Sequence, residues 1–282
     1  KRWFRTKKEA RLFEESVSSH SITFRALLDE MCKVNGVRSS TIQAYNTSLN
    51  RFPYADTDIT QVTKPMLMKW NASLEGNPST CNKSIKIVRM IYAYANKIYD
   101  IANIGIVLKA KKVPKDDMVV WTVRDLDAFC NELTNPAYRS LTLLLFWTGL
   151  RIGEALALTW QDIDGNYLEV NKSIILSTHE VSDTKNTYSH RRIYVPDFVL
   201  ATLEPLKAYR TDVIYPFPYV SYKAVFDRAI KRAGVPAISP HGLRHSHASW
   251  LISNNAPIVA VSKRLGHADI TTTLNTYTHL FK

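Results

Sequence analysis

The chain is poor in cysteine, in acidic charge and in long apolar runs, and each shortage excludes something. Among its 282 residues are only Cys32, Cys81 and Cys130, widely spaced and in no Cys-x-x-Cys pair, which argues against a disulfide framework and against a zinc site. A reducing cytoplasm is the expected setting. The longest strongly apolar stretch, Leu141 to Trp147, falls far short of the roughly 20 residues that a membrane span needs, so no membrane partner is expected. No Gly-Lys-Ser or Gly-Lys-Thr marks a phosphate-binding loop, no His-Glu-x-x-His marks a zinc-binding helix, and no segment is repeated or low in complexity. Neither a metal nor another cofactor is expected.

What is present is a chain able to fold and to hold a polyanion. With 45% hydrophobic and 11% aromatic residues it can bury real cores, and its length suits two domains. The formal net charge of +12 is unevenly placed. Residues 1–115 carry 20 Lys and Arg against 9 Asp and Glu, an excess of +11, whereas the remainder carries 17 against 16, an excess of +1. Such asymmetry points to a nucleic acid gripped mainly by the N-terminal half. A solvated basic surface kept for solubility is the plain alternative.

Along the chain, Lys1 to Arg5 read as a strand end followed by a helix from Thr6 to Glu15. Thr23 predicts an N-cap for a helix through Asn35, and Ser39-Ser40 another, with Ile42, Tyr45, Leu49 and Phe52 on one face. Thr63-Lys-Pro fits a third start, and a fourth helix is predicted over Asn82 to Tyr99, with Ile85, Val88, Tyr92, Ala95 and Ile98 buried. Its polar positions Lys83, Lys86, Arg89 and Lys97 suit phosphate contacts. Residues 108–117, with Lys109, Lys111 and Lys112, have no apolar period and read as a basic interdomain linker that also meets DNA. The second domain opens with Thr122 as cap and Asp125 three residues later. Tyr167 to Ile175 and Arg191 to Val195 alternate as a hairpin or small sheet with Lys185 near its turn, and helices follow from Pro196, Ser221, Pro240, Pro257 and Asp269.

The chemistry concentrates in three stretches: Thr148-Gly-Leu-Arg151-Ile-Gly-Glu154-Ala-Leu156, His241-Gly-Leu-Arg244-His245, and Leu265-Gly-His267 with Tyr277 ten residues later. Two arginines can clamp one phosphate through their planar forks, and a tyrosine can attack it. A phenol with a pKa near 10 is ionised in about one molecule in 10³ at neutral pH, so a base is needed, with His241 and His267 as candidates.

In these motifs the chain resembles the tyrosine recombinases, most closely the integrases of Gram-positive phages and conjugative elements, from about Ser21 to Lys282. The resemblance implies a mainly α fold with a small β-sheet: residues 1–20 as the remnant of an arm-binding region or a connecting helix, 21–107 as a helical core DNA-binding domain, 108–117 as the linker and 118–282 as a mixed α/β catalytic domain, the two domains forming a clamp on DNA. It implies that Tyr277 forms a 3′-phosphotyrosine, that Arg151 and Arg244 hold the phosphate, that His267 donates a further hydrogen bond and that His241 serves Tyr277 as general acid or base. Lys185 would protonate the leaving 5′ oxygen, with Lys172 as its rival. Glu154 would anchor the arginines, and His245 would be structural or support the site from behind. Implied partners are double-stranded core recombination sites, three further copies of the chain in a synaptic tetramer, and a directionality factor or host bending protein. Only five residues follow Tyr277, so an element exchanged between protomers is expected to be short or missing. Two other readings are a DNA-binding accessory or regulatory protein without catalysis, and a metal enzyme using His241 and His245.

Overall fold

The structure, a computed structural model, describes residues 22–114, 118–176, 180–183 and 190–277. The chain separates into two compact units, residues 1–116 and 117–282.

In the first unit, α1 (Phe24–Val34) starts where Thr23 accepts a hydrogen bond from the Ala26 N–H at 3.1 Å. In α2 (Ser39–Leu49) the cap position falls to Arg38, which makes no side-chain cap bond, so Ser39 and Ser40 lie inside the helix. Helix α3 (Lys64–Ser73) carries Pro65 in its first turn. Helix α4 (Pro78–Tyr99) begins a turn earlier than its apolar stripe suggests. Pro78 occupies the first turn there, and Asn77 accepts from the N–H groups of Ser79 and Thr80. The unit closes on an aromatic core in which Phe24 meets Phe52 at 4.8 Å and Tyr92 at 5.2 Å, and Phe52 meets Trp70 at 4.7 Å, all edge to face. Ile98 departs from expectation and is 51% exposed, because the last turn of α4 runs past this core.

Lys83, Lys86, Arg89 and Lys97 are exposed on α4, as are Lys109 and Lys112 beyond it. The segment expected as a tether from residue 108 is instead strapped down at its start. Leu108 is buried in the core, the Lys111 N–H donates to Asn82 Oδ1 at 2.7 Å, and Asn82 Nδ2 returns a bond to the Lys111 carbonyl at 2.9 Å. The Lys111 ammonium is spent on the Leu74 carbonyl. One amide side chain thus satisfies both backbone groups of a residue 29 positions away, a pairing that composition does not reveal.

In the second unit, α5 (Val123–Asn131) carries the expected capping box, Thr122 and Asp125 satisfying each other's backbone N–H. Helix α6 (Pro136–Thr148) is largely buried and packs against α10 (Pro240–Ser253). Between them lie the short α7 (Ile152–Leu156), strands β1 (Ile163–Asp164), β2 (Tyr167–Val170), β3 (Lys172–Ile174), β4 (Val181–Asp183) and β5 (Arg191–Tyr194), then α8 (Asp197–Leu200) and α9 (Tyr219–Ala233). Strands β1, β2 and β5 form a three-stranded antiparallel sheet in that order, with Leu168 opposite Ile193 and both buried. The run expected as one strand over Tyr167 to Ile175 breaks after Val170, and β3 pairs with β4 in a sheet of its own. Helices α11 (Ile258–Leu265) and α12 (Ile270–Tyr277) complete the described unit. The main core stacks Trp121 on Phe226 at 5.7 Å, with Phe129 against both. Among the described residues no helix is long and apolar enough to cross a membrane.

Candidate active site

The site is organised by the carbonyls that end helix α11. The last carbonyls of a helix lack intrahelical donors and carry the negative end of its dipole, so they attract cations. Here the carbonyls of three consecutive residues are each taken by a different arginine. Arg191 Nε donates to Arg264 O at 2.8 Å, Arg244 Nη2 to Leu265 O at 2.7 Å, and Arg151 Nη2 to Gly266 O at 3.3 Å.

Each arginine arrives from a different element. Helix α6 ends at Gly149 in a left-handed conformation (φ 71°), which turns the chain so that Arg151 caps α7. Arg244, on the buried face of α10, sends Nη1 to the Gly149 carbonyl at 2.8 Å. Burial, then the charge of Arg151, pushes its pKa down to about 9, which leaves it charged at neutral pH. Arg191 opens strand β5. Glu154, 2% exposed, joins two of the three. It accepts from the Arg151 backbone N–H at 2.9 Å and Arg151 Nη1 at 2.8 Å, and from Arg191 Nη1 at 3.1 Å and Nη2 at 2.8 Å. Burial acts to raise the Glu154 pKa, but Arg191 and then Arg151 outweigh it, and the net shift is downward.

The histidines and the tyrosine close the site. His267 follows the α11 turn and places Nδ1 2.7 Å from Thr273 Oγ1 on α12. Burial first, then Arg244 and Arg151, lowers its pKa to about 4, so it is neutral at pH 7. Tyr277, at the end of α12, is 1% exposed, and its hydroxyl lies 2.8 Å from His245 Nδ1. Burial raises the phenol to about 12, with Arg244 opposing the shift. His245 is lowered to about 4 by burial, His241 and Arg244. His241, expected to serve Tyr277 directly, sits one turn before His245 on α10 and meets it edge to face at 4.9 Å. Loss of surrounding water, then Arg244 and Arg151, lowers its pKa as well. The tyrosine hydroxyl is thus held by His245, the histidine expected only in a supporting place.

Arg151, Arg244, His241, His267 and Tyr277 are therefore brought together, with Glu154 and His245 in direct contact with members of the set. Lys185 lies outside the described residues. Its rival Lys172 is committed elsewhere, with Nζ 2.9 Å from Asp162 Oδ1, 2.7 Å from Asp162 Oδ2 and 3.2 Å from Thr159 Oγ1. Two arginines escaped the sequence reading. Besides Arg191 there is Arg264, whose Nε donates to His247 Nε2 at 3.0 Å and whose Nη2 reaches the carbonyls of Trp147 and Tyr194 at 3.0 and 2.9 Å, tying α11 to α6 and β5. Only their burial distinguishes them, and alternation along a short strand or helix does not show it.

Comparison with known proteins bears on the family and the fold. Residues 122–282 match the phage integrase family. The ICEBs1 integrase of Bacillus subtilis is 30% identical over 230 residues, covering 70% of this chain and 62% of that protein. A putative prophage phiRv2 integrase of Mycobacterium tuberculosis is 26% identical over 262 residues, covering 84% of this chain and 69% of its own length. The chain thus spans about two thirds of these relatives. Among solved structures, the Tn1549 transposon integrase in complex with transposon right end DNA superposes with a TM-score of 0.78 at 19% identity, covering 91% of this chain and 95% of that one. A lambda integrase dimer bound to a COC′ core site gives 0.72 at 19% identity, covering 97% and 81%. At such identities the two structures speak for the fold.

Proposed function

Because the chain belongs to the phage integrase family, we propose that it is a site-specific DNA recombinase that integrates or excises a mobile element through a covalent 3′-phosphotyrosine. The observation that carries this reading is the convergence of Arg151 and Arg244 on adjacent carbonyls, with the Tyr277 hydroxyl held by His245 in the same site. The Arg151 side chain is 38% exposed and has N–H donors beyond those given to Glu154 and Gly266, as a phosphate clamp requires.

In this reading the Tyr277 oxygen attacks a DNA phosphorus, the bond to the 5′ oxygen breaks, and the tyrosine keeps the 3′ phosphate. A partner strand's 5′ hydroxyl then reverses the step, so the bond energy is retained. With its pKa near 12, only about one Tyr277 in 10⁵ is ionised at pH 7, so the proton must leave during attack. We assign its removal to the His245–His241 pair. Both are neutral at pH 7, His245 touches the hydroxyl, and His241 stands beside it on the exposed face of α10. Arg151, Arg244 and the His267 ring stabilise the charge on the phosphoryl oxygens, and Lys185 protonates the departing 5′ oxygen. The commitment of Lys172 to Asp162 favours Lys185 for that task. Double-stranded core sites are the substrate, contacted by each of the two units and brought together by four protomers. A directionality factor or host bending protein sets the outcome. That the Tn1549 and lambda structures contain DNA supports the choice of substrate.

The test incubates the protein in EDTA with labelled duplexes from the junctions of the native element, nicked near the crossover so that a short fragment escapes. A band shifted in SDS, lost on protease digestion and absent with Tyr277→Phe is expected. Binding without any covalent species would favour the accessory-protein reading.

A further inference from the structure

We propose that Arg191 is a positioning residue that shares the Glu154 carboxylate with Arg151 and matches most of its charge, so that the Arg151 guanidinium keeps N–H donors for a phosphate. The inference rests on the function proposed above and adds to it the control of those donors. Glu154 receives four hydrogen bonds, two from Arg191 and two from Arg151, which fills the lone pairs of both oxygens. The Arg191 pair is the drier of the two. Its side chains are 7% and 2% exposed, whereas Arg151 is 38% exposed, so the charge of Glu154 is matched chiefly from the buried side. Arg191 also approaches as a bidentate fork and spends its third nitrogen on the Arg264 carbonyl, one residue before the carbonyls that hold Arg244 and Arg151.

Remove Arg191 and a buried carboxylate is left with Arg151 as its bound cation. A buried anion without a full complement of partners is strongly unfavourable, and the available relief is to draw the Arg151 guanidinium further onto Glu154. The positive charge offered to a phosphate falls twice, once by the loss of Arg191 itself and once by the capture of Arg151. The downward shift of the Glu154 pKa, with Arg191 the larger attractive influence, agrees with that division.

The experiment compares wild type, Arg191→Met, Glu154→Gln and the double variant by two readouts. One is the rise in melting temperature on exchanging chloride for inorganic phosphate at fixed ionic strength; the other is the single-turnover rate of covalent adduct formation. Arg191→Met is expected to weaken phosphate binding and slow adduct formation by at least tenfold each. The double variant, in which no carboxylate remains to capture Arg151, is expected to recover to within threefold of Glu154→Gln. A double variant as impaired as Arg191→Met, which is what a merely structural role predicts, would overturn the proposal. So would a wild type whose melting temperature does not respond to phosphate. Should Arg191→Met fail to fold, Arg191→Lys, which keeps a cation but loses the fork, takes its place. A smaller loss relieved by Glu154→Gln supports the proposal, and no relief overturns it. Phosphate binding is readable whether or not DNA is cut, so a wild type that binds phosphate but forms no adduct counts against the proposed reaction and not against Arg191.

Discussion

At the scale of single residues, burial keeps the histidines of the site neutral well below the pH at which they would take up protons in water. His245 and His267 are lowered to about 4 and His247, 1% exposed, to about 3, in each case first by burial and then by neighbouring charges. The unfolded chain takes up protons on these histidines near pH 6.5 while the folded chain refuses them until about pH 4 or 3, so stability is full above pH 6.5 and is lost as the pH falls. The greatest slope is about 1.4 kcal/mol per pH unit for a fully buried group. His247 should approach it, and the part-exposed His245 and His267 should fall well below it. The melting temperature of the whole chain is expected to drop steadily from pH 7 to pH 5, and a flat profile would contradict this account. Tyr277, Arg151, Arg244 and His267 were legible because short motifs with fixed spacing carry them. That His245 rather than His241 meets the hydroxyl was not, since both lie four apart on one helix and only the position of α12 chooses between them.

At the scale of elements, the turn between α6 and α7 does the most to assemble the site. Gly149 adopts φ 71°, and a Cβ there would stand 2.6 Å from His247 Cδ2 and 2.8 Å from Leu265 Cδ2. Gly149→Ala therefore meets both backbone strain and a closed wall, and is expected to cost more than about 2 kcal/mol. Gly234→Ala, at φ 64° with no atom within 4 Å, meets the strain alone and should cost about 1 kcal/mol. Chemical denaturation of the two variants checks the difference; equal losses would mean that the packing around Gly149 yields. This turn was visible as Thr-Gly-Leu-Arg. The caps at Thr23 and in the Thr122 to Asp125 box were visible too, because they depend on residues within a few positions of one another, whereas the cap expected at Ser39-Ser40 fell to Arg38 and Ile98 left its stripe. The division of β2 from β3 and the strap of Lys111 on Asn82 were not, because they depend on pairing between distant residues.

At the scale of the whole molecule, charge and candidate site are divided between the two units, with the excess of +11 in residues 1–115 and the candidate reactive groups all beyond them. If the exposed Lys83, Lys86 and Arg89 meet phosphates, changing all three to Gln should flatten the dependence of DNA affinity on salt by up to about 0.9 per contact in log–log slope. Lys111, whose ammonium is already engaged, should change the slope little and the stability more. An unchanged slope in the triple variant would place the DNA contacts on another face. The central claim concerns one atom of one side chain, and the most direct measurement of it is to digest the trapped protein–DNA adduct and identify by mass spectrometry which residue carries the nucleotide. Among the chain's 14 tyrosines the account predicts Tyr277, joined to a 3′ phosphate. A nucleotide on any other residue, or on Tyr277 through a 5′ phosphate, would contradict it.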